Sequence, residues 1–371
     1  MPTHEDLSPA SARGSAHPQD PFDLAVAVHV HSTYSDGTAT VPEIAKAAAD
    51  AEADAVIVTD HDSLQAKFDG HEGWHDGVLV LVGMEISPKG GHFLALGIDR
   101  PIEHAGRSER EICAAVAAAG GLGFPAHPFS EGSRISRTIG RPHPWRELED
   151  CPTTGIELWS LVTEAAEHCR TPRELVGFIR RPEQALDHPP QRNLREWDRL
   201  CQRRRVVAIG GLDAHQSGLR LPGGRVLSPM PNSRFFRMLR THVLCDGVPN
   251  GDVAHDRALV LGALRAGRCF LGRDSLASAR GFRFYASGAD GPVWMGGERP
   301  AGEWTLHVRV PRAADVRLVR DGEPLHRADN SFDLRVTQPG VYRVEARLTA
   351  DGRERTWIVS NPIYLRPRYG R

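Results

Sequence analysis

Lysine is almost missing from this chain. Of 46 basic side chains only Lys46, Lys67 and Lys89 are not arginine. The cationic surface is therefore planar guanidinium, the better partner for phosphate and carboxylate, although a genome-wide codon bias produces the same skew. Cysteine is sparse and unpaired: Cys113, Cys151, Cys169, Cys201, Cys245 and Cys269 form no Cys-x-x-Cys, which excludes a disulfide framework and a zinc ribbon. No apolar run approaches the roughly 18 residues that span a bilayer. The opening Met-Pro-Thr-His-Glu-Asp-Leu lacks the basic start and apolar core of a secretory signal, so the expected location is cytoplasmic. A net charge of −1 offers no basic field for a nucleic-acid duplex.

What is present, 371 residues with 40% hydrophobic and 25% charged content, is the composition of a soluble globular protein large enough for two domains. Residues 1–20 are rich in Pro, Ser, Ala and charge without periodicity, and are expected to be a mobile tail. From Leu24 short apolar runs alternate with helix-like stretches: Leu24–Val30, Val41–Ala53, Ala55–Thr59, Val78–Val82, Phe93–Ile98, Ser108–Ala119, Gly121–Ala126, Gly155–Leu158, Asn193–Arg205 and Val206–Gly210. That alternation predicts parallel strands wound by helices. Pro42 and Glu43 suit the first turn of a helix, where amide donors lack partners and the dipole is positive. The Pro- and Arg-rich stretch from about Arg134 to Arg192 reads as an elaborated loop, with a strand near Ile156 and helix near Thr163–Arg170. Such insertions shape access to a site. After Arg273 closely spaced runs alternate apolar and polar residues, with Asp321-Gly322, Pro339-Gly340 and Asp351-Gly352 as turns, which predicts an antiparallel sandwich. The expected units are 21–276 and 277–371.

Nine metal-friendly side chains punctuate the first unit: His29, His31, Asp36, His61, Glu85, His92, His127, Asp213 and His215. Most fall at or just beyond the carboxyl end of an apolar run, where α/β proteins place their chemistry. His29 and His31 are two apart, so on a strand both leave one face and can grip one ion. Asp213 and His215 repeat the spacing, and a sharp turn at Gly210-Gly211 would send them to different ions. Singly, His92 suits a half-buried strand, His127 a turn, and Asp36 before Gly37 a common turn pair. Asp60 and Asp62 flank His61; one of them can fix the tautomer of a ligand imidazole, and Asp62 can equally cap a helix.

The motifs His-Val-His-Ser-Thr-Tyr-Ser-Asp-Gly, Thr-Asp-His-Asp-Ser, Gly-Met-Glu-Ile, Gly-His-Phe-Leu-Ala-Leu-Gly, Ala-His-Pro and Asp-Ala-His, in this order, resemble those of the PHP (polymerase and histidinol phosphatase) metallohydrolases. The resemblance spans roughly Phe22 to Arg273. It implies a distorted barrel of seven parallel strands with helices outside, a (β/α)7 PHP barrel, holding two or three divalent ions at the carboxyl ends of the strands. By motif position His29, His31, Glu85 and Asp213 would bind one ion. Glu85, as a bridge, with His92 and His127 would bind a second, and Asp36, His61 and His215 a third. Gly-Arg-Cys-Phe-Leu, a small immunoglobulin-like sandwich and Ser-Asn-Pro-Ile-Tyr-Leu resemble the CehA/McbA-like branch, whose name-giving members are associated with carbamate ester hydrolysis.

Imidazole and carboxylate together accept zinc, manganese or iron, so the metal stays open. Paired ions suit hydrolysis by a metal-bridging hydroxide. Arg134, Arg141 and Arg273 are candidates for gripping a phosphate, and His143 or His215 for giving the leaving group a proton. Three readings follow: a phosphoesterase on a small mono- or diester, a carboxyl-ester, carbamate or amide hydrolase on the same ions, and a metal-stabilised binding protein without activity. The expected partner is a small-molecule ester, with neither a duplex nor a membrane; exposed sandwich edges could pair two subunits.

Overall fold

The structure, a computed structural model, describes residues 20–135, 141–184, 186–216, 218–220, 226–289 and 291–367. The expected N-terminal tail lies outside these residues but for Asp20. The first part of the chain runs β1 (Phe22–Val30), α1 (Val41–Asp50), β2 (Ala55–His61), α2 (Gln65–Phe68), β3 (Gly73–His75), β4 (Val78–Ile86), β5 (His92–Leu96), α3 (Glu109–Ala118) and β6 (Leu122–Ala126). It continues through β7 (Gly155–Ser160), α4 (Leu161–His168), α5 (Pro172–Arg180), α6 (Gln191–Arg203), β8 (Val207–Gly211), β9 (Leu219–Arg220), β10 (Val226–Leu227), α7 (Asn232–Phe235), β11 (Arg240–Cys245), α8 (Val253–Ala266) and β12 (Cys269–Gly272). Ten strands follow: β13 (Arg283–Gly288), β14 (Gly291–Trp294), β15 (Glu298–Pro300), β16 (Trp304–Arg309), β17 (Asp315–Arg320), β18 (Glu323–Ala328), β19 (Phe332–Val336), β20 (Gly340–Ala350), β21 (Arg353–Ser360) and β22 (Ile363–Arg366).

The fold is mixed α/β, and its main sheet is not uniformly parallel. β1, β2 and β4 are parallel, as are β7 and β8, whereas β4–β5, β5–β6, β1–β11 and β11–β12 are antiparallel. The reason at β4–β5 is chain length: the few residues from Ser87 to Gly91 cannot make the dozen-residue crossover a parallel pair needs. This corrects the all-parallel expectation. Alternate strand residues feed two different cores. Ala27, Val30, Val56, Val58, Val80 and Val82 pack with α1 and α3, while Val26, Val28, Ile57, Leu81, Leu94, Phe124, Ile209, Val243 and Cys269 gather with α8 residues in one interior cluster. Burial on both faces explains why β2 and β4 read as continuous apolar runs. Capping boxes at Thr40/Glu43 and Ser108/Glu111 set the starts of α1 and α3.

The later strands form a four-stranded sheet, β14-β13-β16-β19, facing β17, β18, β20, β21 and β22 across a shared core of Phe284, Leu306, Val316, Val344 and Ile358. The second of these sheets is continuous with the first part of the chain. β21 pairs with β12, placing Phe270 opposite Ser360. The segment Ser360-Asn361-Pro362-Ile363-Tyr364 reinforces that seam: Asn361 Oδ1 accepts from the Ala208 amide at 2.7 Å, its Nδ2 donates to the Ala208 carbonyl at 2.9 Å, and Tyr364 Oη accepts from the Val206 amide at 3.0 Å. All six cysteines are buried free thiols. Among the described residues no helix is long and apolar enough to cross a membrane.

Candidate metal centre

Glu85, at the end of β4, is fully buried, and five imidazoles from four segments surround its carboxylate. Oε2 lies 3.3 Å from His29 Nε2, 3.2 Å from His31 Nε2 and 3.1 Å from His61 Nδ1; Oε1 lies 3.0 Å from His92 Nδ1 and 3.4 Å from His127 Nε2. Asp213 Oδ1 is 3.5 Å from both His29 Nε2 and His31 Nε2. On the outer side Asp36 approaches His215 Nε2 at 3.2 Å, with His31 and His61 at 3.7 Å. All nine residues singled out from the sequence therefore converge on one place. His31, Asp36, His61 and His215 form one group with donor atoms close enough to share an ion, His29, His31 and Glu85 another, and His61, Glu85 and His92 a third.

The backbone achieves this at some cost. His29, His127 and Asp213 have φ of 66°, 31° and 53°, in the left-handed region that side chains other than glycine rarely adopt. Each such residue costs on the order of 1–3 kcal/mol and persists where the surroundings over-determine it. The register of β1 against β2 shifts between Val28 and Val30, so His29 sits on an irregularity of the strand. The His-x-His pair thus converges through a bulge and the end of β1, not by plain strand alternation. The expected sharp turn at Gly210-Gly211 falls later: β8 runs through Gly211, Asp213 makes the turn, and Ala214 bridges back to Val30.

Four side chains brace the candidate ligands, and of these the sequence reading offers only Asp60, in a different role. Glu157 is buried on β7; its Oε1 is 2.8 Å from His29 Nδ1 and its Oε2 accepts from the His127 amide at 2.6 Å. A carboxylate only accepts, so His29 Nδ1 is the donor and its Nε2 lone pair faces Glu85 and Asp213. Gly211 makes room for this contact, since a Cβ there would lie 1.7 Å from Glu157 Oε1. Asp60 takes the Ser32 amide at 2.7 Å, Ser32 Oγ at 2.6 Å and Ser35 Oγ at 2.7 Å, bracing the loop that carries Asp36. Neither Asp60 nor Asp62 fixes a ligand imidazole as suggested: Asp62 accepts from the Ser87 amide, and it is Ser87 Oγ that meets His61 Nδ1, at 2.6 Å. Thr163 Oγ1 donates to Asp213 Oδ2. Glu157 did leave a signal, a lone charge inside the apolar run Gly-Ile-Glu-Leu-Trp, where burial demands a partner.

The electrostatics call for a cation. Burial pushes His29 down, but the carboxylates of Glu157, Glu85 and Asp213 outweigh it and hold the imidazole well above its ordinary value. His31 is likewise raised to about 9 against burial, through Asp213 and Glu85. Burial would raise Glu85 and Asp213, yet the surrounding histidines hold both well below the usual carboxylate range. Buried His29 Nε2, His31 Nε2 and Glu85 Oε2 have no hydrogen-bond partner among the described residues. Lone pairs gathered and unused in this way fit divalent ions, and a mixed imidazole and carboxylate set suits zinc, manganese or iron.

The ligands open into a cavity of about 650 Å³, lined by Asp36, His61, His92, His127, Asp213 and His215 together with Arg141 and His143. His143 stacks on His92 with ring centroids 4.2 Å apart, and burial beside His92 and His127 brings it down to about 4. It is therefore neutral near neutral pH, able to offer an N–H but not a labile imidazolium proton. Arg134 is placed in a neighbouring cavity of about 230 Å³. Arg273 is brought to neither: it is 2% exposed, lies over the Trp159 ring, and donates to the carbonyls of Leu186 at 2.6 Å and Glu183 at 2.7 Å.

Solved structures with partial likeness include a two-domain protein from Bacteroides vulgatus described as containing a predicted PHP-like metal-dependent phosphoesterase, at 16% identity and TM-score 0.41 over 95% of this chain and 99% of that one. A protein of Bifidobacterium adolescentis described as a metal-dependent phosphoesterase gives 18% and 0.34 over 62% and 99%. An amidohydrolase from Chromobacterium violaceum, with bound sulfate and no metal, gives 17% and 0.29 over 56% and 92%. Overlaps of this extent carry no argument about chemistry. No curated protein matches the sequence. Residues 27–96 match the family model of the PHP domain, and this matched stretch contains His29, His31, Asp36, His61, Glu85 and His92.

Proposed function

We propose that this protein is a metal-dependent phosphoesterase acting on a small phosphomonoester or phosphodiester, an activity of the ester-hydrolase class. The observation that carries the reading is the convergence of nine donors, with buried lone pairs unused, at the floor of a cavity that also holds Arg141. Residues 21–276 would form the catalytic unit, a distorted barrel closed around the interior cluster, and 277–371 an immunoglobulin-like sandwich fastened to it. His29, His31, Glu85 and Asp213 would hold one ion, Glu85 with His92 and His127 a second, and Asp36, His61 and His215 a third. Divalent ions there supply Lewis acidity and activate water for in-line attack.

The chain's own residues do the rest. Glu157 keeps the Nε2 lone pair of His29 turned inward, and Thr163 orients Asp213. Arg141, exposed at the cavity wall, meets phosphoryl oxygens and offsets their charge. His143 offers its imidazole N–H to the departing oxygen, and His215 is the alternative donor at the outer edge.

A second reading, hydrolysis of a carboxyl ester, carbamate or amide, is favoured by the apolar side chains Val162, Leu175, Phe178, Ile179 and Met230 in the same cavity. The deciding experiment compares chelated and metal-reconstituted protein, with His29→Ala alongside, on p-nitrophenyl phosphate, bis-p-nitrophenyl phosphate and naphthyl esters. Metal-dependent phosphate-ester turnover that disappears in the variant is the expected result. Turnover of the naphthyl esters alone moves the protein to the second reading, and silence on every substrate removes both.

A further inference from the structure

The wall of the metal cavity that is not ligand is mostly hydrocarbon. It comes from the stretch that reads in sequence as an irregular insertion. α4 supplies Val162 and Ala166, and α5 supplies Leu175, Phe178 and Ile179. On α5 those three stand at i, i+3 and i+4, a single stripe, while Pro172, Arg173, Glu174, Val176, Gly177 and Arg180 are exposed. The helix therefore turns its apolar face to the cavity, where an unfilled hydrocarbon surface is unfavourable unless something apolar occupies it.

Two polar atoms on that wall, Thr163 Oγ1 and Glu167 Oε1, are already engaged. Thr163 Oγ1 donates to Asp213, and Glu167 Oε1 accepts from Ser130 Oγ at 2.6 Å and from the amides of Glu131 and Gly132 at 2.9 and 2.8 Å. A sugar hydroxyl carried against the Leu175, Phe178 and Ile179 stripe would lose its water and meet hydrocarbon, a loss of about tenfold or more in affinity for each stranded group. Arg141 and the metal ligands stand ready for the anionic end of a substrate, and the α4–α5 wall for the other end.

We propose that the organic group of the substrate is apolar, an alkyl or aryl alcohol and not a polyol or a nucleoside, and that Leu175, Phe178 and Ile179 on α5 select it. The identity of the reacting group rests on the phosphoester reading above; the apolar selection does not. Full-length, metal-loaded protein would be given ethyl, butyl and hexyl phosphate and glycerol 3-phosphate, with inorganic phosphate as the readout. kcat/KM should rise about threefold to fourfold per added methylene, and glycerol 3-phosphate should fall below butyl phosphate. Leu175→Gln and Ile179→Gln, both at half-buried positions, should each cut the hexyl-to-ethyl ratio about tenfold. Binding of hexylphosphonate against ethylphosphonate, measured by calorimetry on the same proteins, gives the order without turnover. A flat or falling phosphate series, or equal binding of the two phosphonates, overturns the proposal. Absence of phosphate release with hexylphosphonate still preferred, and that preference lost in Leu175→Gln, sinks the phosphoester reading and leaves the apolar one standing.

Discussion

Two clusters of buried histidine and carboxylate stand out among the described residues, and one of them is built like a metal site. Around His242 both imidazole nitrogens and all the oxygens of its two carboxylates are satisfied by the chain itself. Its Nδ1 meets Asp23 at 2.9 Å and its Nε2 meets Asp274 at 3.2 Å; Asp274 takes Arg240 at 2.8 Å, and Asp23 takes the Gly281 amide at 3.0 Å and Arg283 at 3.3 Å. Around Glu85 the histidine nitrogens and carboxylate oxygens crowd one another at similar distances, yet His29 Nε2, His31 Nε2 and Glu85 Oε2 find no partner. Both places bury imidazole against carboxylate. What separates a structural ion network from a cation site is the tally of unused lone pairs.

The comparison breaks first at Glu85. Glu85→Gln keeps the shape of the side chain but removes the charge at the centre of the cluster. The expected result is a loss of turnover of a thousandfold or more, on the order of the losses seen when one member of a catalytic unit is removed. Metal content measured by plasma spectrometry should drop in parallel. Full metal content with full activity would show that Glu85 is no part of the ion cage.

A pH titration sharpens the other side. Burial pushes His242 down, but Asp23 and Asp274 hold it up at about 9 against an ordinary 6.5. A raised folded-state value means the stabilisation is complete below 6.5 and is lost as pH rises through about 9. The stability difference between the wild type and His242→Gln, followed by urea unfolding, should shrink across that window by about 3 kcal/mol. A difference that stays constant would mean the imidazole is held neutral. On the acid side Asp23 and Asp274 act in the opposite sense: burial opposes them, but His242 holds both low, so their share is lost only as pH falls through those depressed values.

The smallest effect belongs to Glu157→Gln. An amide can still touch His29 Nδ1 but no longer enforces its tautomer, and metal affinity should fall about 10- to 100-fold while the fold survives. Competition with a chromogenic chelator reads this directly. An unchanged affinity would leave Glu157 as a brace for the His127 backbone alone.

The ligands were legible because imidazole and carboxylate at the ends of apolar runs are costly to bury without a purpose, and because their spacing is tied to strand ends. Their supports were less so. Glu157 stands out only as a charge in an apolar run, and Asp60 reads equally as a partner for an imidazole until the distances to Ser32 and Ser35 are known. α5 was missed because it hides in a Pro- and Arg-rich stretch. Its three apolar residues make a complete stripe, but a short helix over a cavity has no long periodicity to betray it. The all-parallel sheet failed at β4–β5, where the loop length was in view and argued for antiparallel pairing. Arg273 drew notice as a cation near a motif, and only the carbonyls around its guanidinium show what occupies it.

The seam at Asn361 also orders events during synthesis. The amide and carbonyl of Ala208 belong to β8, the strand that delivers Asp213, and the amide of Val206 directly precedes it; all are satisfied by side chains that leave the ribosome more than 150 residues later. Until those residues emerge, these hydrogen bonds at the edge of the strand stay unmet, although Asp213 is already held through Thr163 and the Ala214–Val30 bridge. All nine candidate ligands thus leave the ribosome well before the residues that seal the edge of the strand beneath them, so the seam is the last part of this framework to close.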